Sequence, residues 1–354
     1  VIGSYIYLVS DGEFDSGAGL RISTEENSHF GEARFLYESS SINLTTGLGY
    51  FDANIDETIN FGPFPATMQE TDSTHKNAYL YADLNYLKEL TVILGLSGDD
   101  FEELGVEKSQ INPKIGIIWS PLPYTTFRAA AFRTLKRTLT SSQTIEPTQI
   151  AGFNQFFDDV NGTDAWRYGM AIDQTVSPNL FLGAEISRRY MEVPVLSLAV
   201  PGETIEVDED ETFGRSYIYW APADWMALSA EYQFEQFDRD VNALNPEALI
   251  QSTTHRIPLE LRFFHPGGTF ARVRGTFVDQ DGQFESSTGT VFFGSDRFFV
   301  VDASLGYRFP RRLGLASIEV RNLFDTSFSF QDSDPTNSSV SRERLILAKL
   351  KLSF

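Results

Sequence analysis

The sequence predicts a closed antiparallel transmembrane β-barrel of about 16 strands. Three observations predict it. Apolar and polar residues alternate along most of the 354-residue chain, the pattern of strands with two unlike faces. The alternating segments come in pairs, with short turns inside the pairs and long polar connections between them. Helix periodicity is almost absent, and no apolar run approaches the length of a spanning helix.

The strands are expected, in order, at roughly 1–10, 31–39, 42–52, 76–86, 89–98, 111–120, 124–134, 164–175, 179–190, 211–221, 224–237, 253–264, 268–279, 296–309, 313–324 and 341–354. The short turns carry Pro, Gly or Asn in most cases: 86-YLKE-89, 120-SPLP-123, 176-VSPN-179, 221-APAD-224, 265-HPGG-268 and 310-PRRL-313. The long connections are mostly polar and acidic: 11–30, 53–75, 99–110, 135–163, 194–210, 239–252, 280–295 and 325–340. The short turns and both termini are expected on the periplasmic side and the long connections outside, with 135–163 and 239–252 open to protease. Parity within the strands is consistent. In 253–264, Ile257, Leu259, Leu261 and Phe263 alternate with Arg256, Pro258, Glu260 and Arg262. One face suits hydrocarbon and the other suits water. Lipid tolerates no open backbone edge, so the first strand, 1-VIGSYIYLVS-10, is expected to pair with the last, 345-LILAKLKLSF-354. Leu350, Leu352 and Phe354 of that last strand form the expected closing and assembly signal.

Composition narrows the function. There is no Cys, hence no disulfide framework, thiolate metal site or Cys nucleophile. The net charge of −21 speaks against nucleic acid. No secretory leader is visible and Val1 already lies in a strand pattern, so residues 1–354 read as one outer-membrane domain, the C-terminal part of a longer precursor. Trp119, Trp166, Trp220, Trp225, Tyr86, Tyr124, Tyr217, Tyr219 and Tyr307 lie near strand ends, where aromatic girdles meet headgroups.

The water-facing parity supplies the candidate site. Arg256, Arg262, Arg272, Arg274, Arg308, Arg321, Lys349 and Lys351, joined by Arg128 and Arg167, make a basic lumen wall. Glu260, Asp302 and Glu319 interrupt it, and Asp83, Glu185, Glu231 and Glu235 stand on the opposite side. Facing walls of unlike charge suit the passage of polar, anionic solutes; the plainer reading is cross-strand pairing that stiffens the sheet. Acidic runs at 99-DDFEE-103, 158-DD-159, 208-DEDE-211 and 279-DQDG-282 lack calcium-loop spacing and read as solvated loop charge. His29, His75, His255 and His265 sit in no catalytic pattern, and no cofactor fingerprint is present. The sequence therefore predicts no enzyme, no metal and no cofactor.

Three stretches resemble TonB-dependent receptors. The segment 319-EVRNLFDTSFSF-330 resembles their penultimate-strand NLFD motif, succeeded by a loop and a final strand ending in Phe354. The stretch 111-INPKIGIIWSPLPYTTFRAAAFRTLKR-137 resembles their P-K-x-G strand, turn and R-A-x strand. The stretches 145-IEPTQIAGF-153 and 168-YGMAIDQTVSPNLFLGAEIS-187 resemble the next segment of such receptors. Members of that family carry an N-terminal plug, a TonB-binding box and a larger barrel, and neither plug nor box is recognisable here. The strand count and the start in a first strand also resemble exopolysaccharide-export barrels, by architecture alone. These readings imply a porin- or exporter-like pore in a Gram-negative outer membrane. The alternatives are the barrel of a receptor and an adhesin or assembly scaffold. The implied partners are outer-membrane lipid and lipopolysaccharide, the barrel-assembly machinery, and a periplasmic partner or an upstream helical-repeat or plug domain.

Overall fold

A computed structural model describes residues 1–15, 20–61, 65–137, 144–155, 157–196, 204–240, 249–285, 290–328 and 343–353. Sixteen strands pair in one antiparallel sheet, each beside its chain neighbour. They are β1 (Ile2–Asp15), β2 (Leu20–Glu38), β3 (Ile42–Phe61), β4 (Thr67–Leu87), β5 (Leu90–Glu103), β6 (Val106–Leu122), β7 (Thr125–Leu135), β10 (Asp164–Ser177), β11 (Leu180–Leu196), β12 (Thr204–Ala223), β13 (Met226–Arg239), β14 (Leu249–Phe264), β15 (Thr269–Glu285), β16 (Val291–Arg308), β17 (Gly314–Arg321) and β18 (Leu345–Leu352). Two short strands, β8 (Gln149–Ile150) and β9 (Phe153–Asn154), form a separate ribbon between β7 and β10. The described order begins at β1 and ends at β18, the two strands expected to meet. Phe354 lies outside the described residues.

Each of the sixteen expected strands is present, and most extend well past their expected outer ends. The expected loops 11–30, 53–75 and 99–110 are largely hairpin: Asp15 faces Arg21, Ile59 faces Thr67, and Glu103 faces Val106. Alternation fades there because both faces are wet, yet the backbone ladder continues. The β5–β6 hairpin closes through Leu104 and Gly105 at φ 48° and 77°, a two-residue turn with positive φ at both positions. The acidic runs 99–103, 208–211 and 279–282 accordingly stand on strands, not in loops. β17 stops at Arg321, three residues earlier than expected, and 322-NLFD-325 is a turn.

The chain folds as two compact units. One comprises Val1–Trp119, Arg128–Gly169 and Arg189–Asp208; the other comprises Ser120–Phe127, Met170–Arg188 and Glu209–Phe354. Within each, burial is inverted relative to a water-soluble sheet. In the first unit Ser73, His75, Asn77, Tyr79 and Tyr81 of β4 are buried, while Leu80 between them is 50% exposed. In the second, Thr254 and Gln280 are buried, whereas Leu259, Val273, Leu305 and Ile318 are exposed.

Candidate functional site

The first unit contains an arrangement absent from the sequence reading. Residues 144–155 and 157–163, within the connection 135–163 expected to be an exposed outer loop, lie against the polar face of the sheet. Ala151 and Gly152, at φ 49° and 87°, turn the β8–β9 ribbon. Ile150 at its tip is 0% exposed. Glycines on the strands make the room. A Cβ on Gly116 would lie 2.8 Å from Ile150 Cγ2, and one on Gly169 would lie 2.5 Å from the Phe153 ring.

Polar contacts hold the segment. The Glu32 carboxylate of β2 accepts the Ile145 amide at 2.7 Å and the Thr144 hydroxyl at 2.6 Å. Arg34 donates to the Ile145 carbonyl at 2.6 Å. Glu146 accepts from the Tyr81 hydroxyl at 2.5 Å, from Asn77 at 3.3 Å and from Arg137 at 2.8 Å. Arg137 also stands 3.7 Å from Glu32, and all three members of this acid–base–acid group are buried. A buried ion pair needs several partners to offset desolvation, and here two carboxylates and the Thr144 hydroxyl surround the Arg137 guanidinium. Gln155 closes the set, donating to the Pro147 carbonyl at 2.6 Å.

Arg128 and Arg167, expected on the basic wall, serve this segment. Arg128 donates to the Ala151 carbonyl at 3.3 Å and Arg167 to the Asn154 carbonyl at 2.9 Å, and both guanidiniums lie over the Phe153 ring, 5.5 and 5.7 Å from its centroid. Arg189 lies 3.8 Å over Phe157 and pairs with Asp159. Asp83 is on the same parity of β4, nearer the short turn.

The second unit holds the rest of the expected wall. Charges of both signs stand along and across its strands. Arg274 faces Glu260 on one side and Asp302 on the other, and Arg262 faces Arg272. Arg262 bonds Glu260; Arg321 bonds Glu319 at 2.9 Å; Arg272 approaches Glu319 at 3.6 Å; Arg256 stands 4.0 Å from Glu235. Arg308 lies over the Phe270 ring, and Lys351 and Lys349 face Leu315 and Ser317 across β17. Glu231 is held by Arg215 through two bonds of 3.0 Å, with Glu185 4.0 Å from the same guanidinium. Arg215 is the residue the sequence reading missed, although its parity placed it beside Glu231. Tyr217 and Tyr219, expected to face lipid, share that polar parity: Tyr217 donates to Asp173 at 2.6 Å and Tyr219 to Glu231 at 2.5 Å. Trp119, Tyr124, Trp220, Trp225 and Tyr307 are exposed near short turns, as a girdle requires.

Asp302 is structural. Its carboxylate accepts the Asn322 amide at 2.9 Å, at the head of the turn that ends β17. Asn322, at φ 49° and 3% exposed, exchanges bonds of 2.9 and 2.8 Å with Thr326, and Asp325 accepts the Arg344 amide at 2.8 Å. Asn tolerates this left-handed backbone better than a bulky residue does.

The strand acids are paired as well: Asp210 with Arg188, Glu209 with Arg239 and Asp279 with Arg297. The Ser109 hydroxyl donates to the Asp100 carboxylate at 2.7 Å. No group of three metal-ligating side chains occurs among the described residues. His75 meets Asp99 at 3.0 Å, and Asn112 and Ser97 bond the other carboxylate oxygen. His29 and His255 accept or donate to Tyr5 and Tyr232.

No family model and no curated protein matches the chain. Solved structures do resemble it. The copper transporter OprC superposes with a TM-score of 0.67 at 13% identity, over 99% of this chain and 64% of that one. The FrpB iron transporter from Neisseria meningitidis gives 0.64 at 13%, over 92% and 54%. The ferripyoverdine receptor of the outer membrane of Pseudomonas aeruginosa gives 0.61 at 11%, over 92% and 49%. The chain thus spans about half to two thirds of the length of these structures. The resemblance to receptor barrels holds at the level of fold, and the fold of this chain is that of an outer-membrane β-barrel.

Proposed function

We propose that the chain is a bacterial outer-membrane barrel that gives passage to a polar, anionic solute or polymer, and that residues 144–163 narrow the passage from within. The observation that carries this reading is the segment itself, clamped on the polar face by Glu32, Arg137, Glu146 and Tyr81. A folded segment on that face occupies room that a separate plug would otherwise take. Closure of β1 on β18 is part of the proposal, since lipid leaves no strand edge unpaired.

Membrane height supports it. On the apolar parity of β5, Leu94 and Leu96 are exposed, and Asp100 on the same parity pairs with Lys76 at 3.7 Å. Arg188 with Asp210, and Arg297 with Asp279, mark the same change on other strands. The ten residue steps from Leu90 to Asp100 span roughly 33 Å of strand. At the usual tilt of about 40° this is about 25 Å of height, the apolar band of such barrels. Outer-membrane lipid, lipopolysaccharide and the barrel-assembly machinery are the partners this placement implies.

The reading includes no covalent chemistry. His75 and Asp99 are buried, and the other oxygen of Asp99 is taken by Asn112 and Ser97. A second reading, the barrel of an energised receptor whose plug lies outside residues 1–354, is favoured by the transporter neighbours and by the share of their length that is matched.

Conductance in planar bilayers separates the two. The native protein should give small, steady steps, and Arg137→Ala with Glu146→Ala should enlarge them several-fold by releasing the segment. A barrel that stays closed before and after release overturns the passage reading and favours the receptor.

A further inference from the structure

We propose that a cleft on the polar face of β11–β15 is a binding subsite for one ring of an acidic sugar, of the hexuronate class. The cleft measures about 460 Å³. That lies within the range of small-ligand sites, about 300–1,000 Å³. Ala227, Ser229 and Pro258 leave it hollow, while Phe181 and Tyr219 flank one side and Arg274 the other. Phe181 shares its parity with Gly183, whose missing Cβ makes room for the Tyr217 ring. The cleft is therefore built by alternation of small and large side chains on one face, not by a gap between elements.

Its chemistry points to one ligand class. The Phe181 ring, 41% exposed, offers an apolar platform suited to the C–H face of a pyranose. Ser229 offers a hydroxyl to the ring's own hydroxyls. The charges then decide the sign. Glu231 is already neutralised by Arg215, and Glu260 by Arg262. Arg274 makes no ion pair within 4.0 Å among the described residues, although Glu260 and Asp302 face it across the neighbouring strands. Among the lining residues and their ion-pair partners one cation is left over, and a planar guanidinium suits a carboxylate bidentately. A neutral sugar would leave it unmet; a small anion would leave the ring platform empty; an amino sugar would meet the wrong sign.

This subsite does not depend on passage through the barrel. Ligand-detected NMR on the detergent-solubilised full chain, with D-glucuronate, D-glucose and acetate as probes, tests it directly. Glucuronate should bind at least tenfold more tightly than either of the others. Arg274→Gln should abolish that preference, Arg274→Lys should keep part of it, and Phe181→Ala should weaken glucuronate and glucose alike. Equal binding of all three probes overturns the proposal. So does an unchanged preference in Arg274→Gln with native far-UV circular dichroism. A non-conducting barrel that still prefers glucuronate would sink the passage reading and leave the subsite standing.

Discussion

Single residues here act chiefly by closing polar circuits. Asn322 combines a left-handed backbone with three hydrogen bonds in a buried turn. Asn322→Ala should cost about 1–3 kcal/mol, because it leaves the Thr326 amide and carbonyl unpaired. Asn322→Gly should cost less than the alanine, since it relieves the backbone while losing the same side-chain bonds. Urea unfolding in lipid vesicles checks the order of the two. Parity grouped the charged residues of the wall, among them Arg256, Arg272 and Glu319, one strand at a time. What parity could not show was pairing. Glu231 reads from sequence as an acid facing a distant basic wall, but Arg215 meets it on the adjoining strand. Tyr217 and Tyr219 were misplaced for a related reason: aromatic girdles were read by nearness to a strand end, and the two rings share the parity of Arg215, not of Trp220.

At the scale of elements, the 144–163 segment is the departure from expectation. Strands of ten or more residues announce themselves by alternation; a ribbon of two-residue strands cannot. Its sequence did carry Pro147, Gly152 and Gly162, the punctuation of a tightly turned chain, and the resemblance at 145-IEPTQIAGF-153 fell on it. The expectation that protease would cut within 135–163 is therefore reversed for residues 144–163. Proteinase K added to intact cells should spare them in the native protein. Glu146→Ala takes the nearer carboxylate from Arg137 and the shorter of two acceptors from Tyr81, and losing one partner of a buried pair costs about 3–5 kcal/mol. That variant should become cleavable there, while its strands keep their heat-resistant gel mobility. Cleavage of the native segment on intact cells would contradict the burial described here.

The whole molecule was legible in count and order. Sixteen alternating segments became sixteen sequentially paired strands. Their outer extensions were not legible, because alternation exists only where one side meets hydrocarbon. Closure is open to chemistry, since the chain has no cysteine of its own. Cysteine at Tyr7 combined in turn with cysteine at Ile346, Ala348 or Leu350, all on the exposed apolar parity, should give one oxidant-induced cross-link in the lipid-embedded protein. No cross-link in any pair would mean that the first and last strands do not meet. Charge offers a second test at this scale. Arg272→Glu with Arg274→Glu should leave the fold intact and shift reversal potentials toward cations. An unmoved reversal potential would make the Arg272–Glu319 and Arg274–Asp302 juxtapositions a stiffening device alone.

The clamp on the inner segment also constrains the order in which the chain can mature. Ile145 and Glu32 are 113 residues apart, and Glu146 and Tyr81 are 65 apart. Neighbouring hairpins, by contrast, close across turns of a few residues. Contacts of long separation form late, because the loop they close must first lose its freedom. Docking of 144–163 thus waits until β2, β4 and β6 are already side by side, and it reports that they are. The strands of the first unit would therefore pair before this segment docks, so that the unassembled chain and the finished one differ in where 144–155 and 157–163 lie as well as in order.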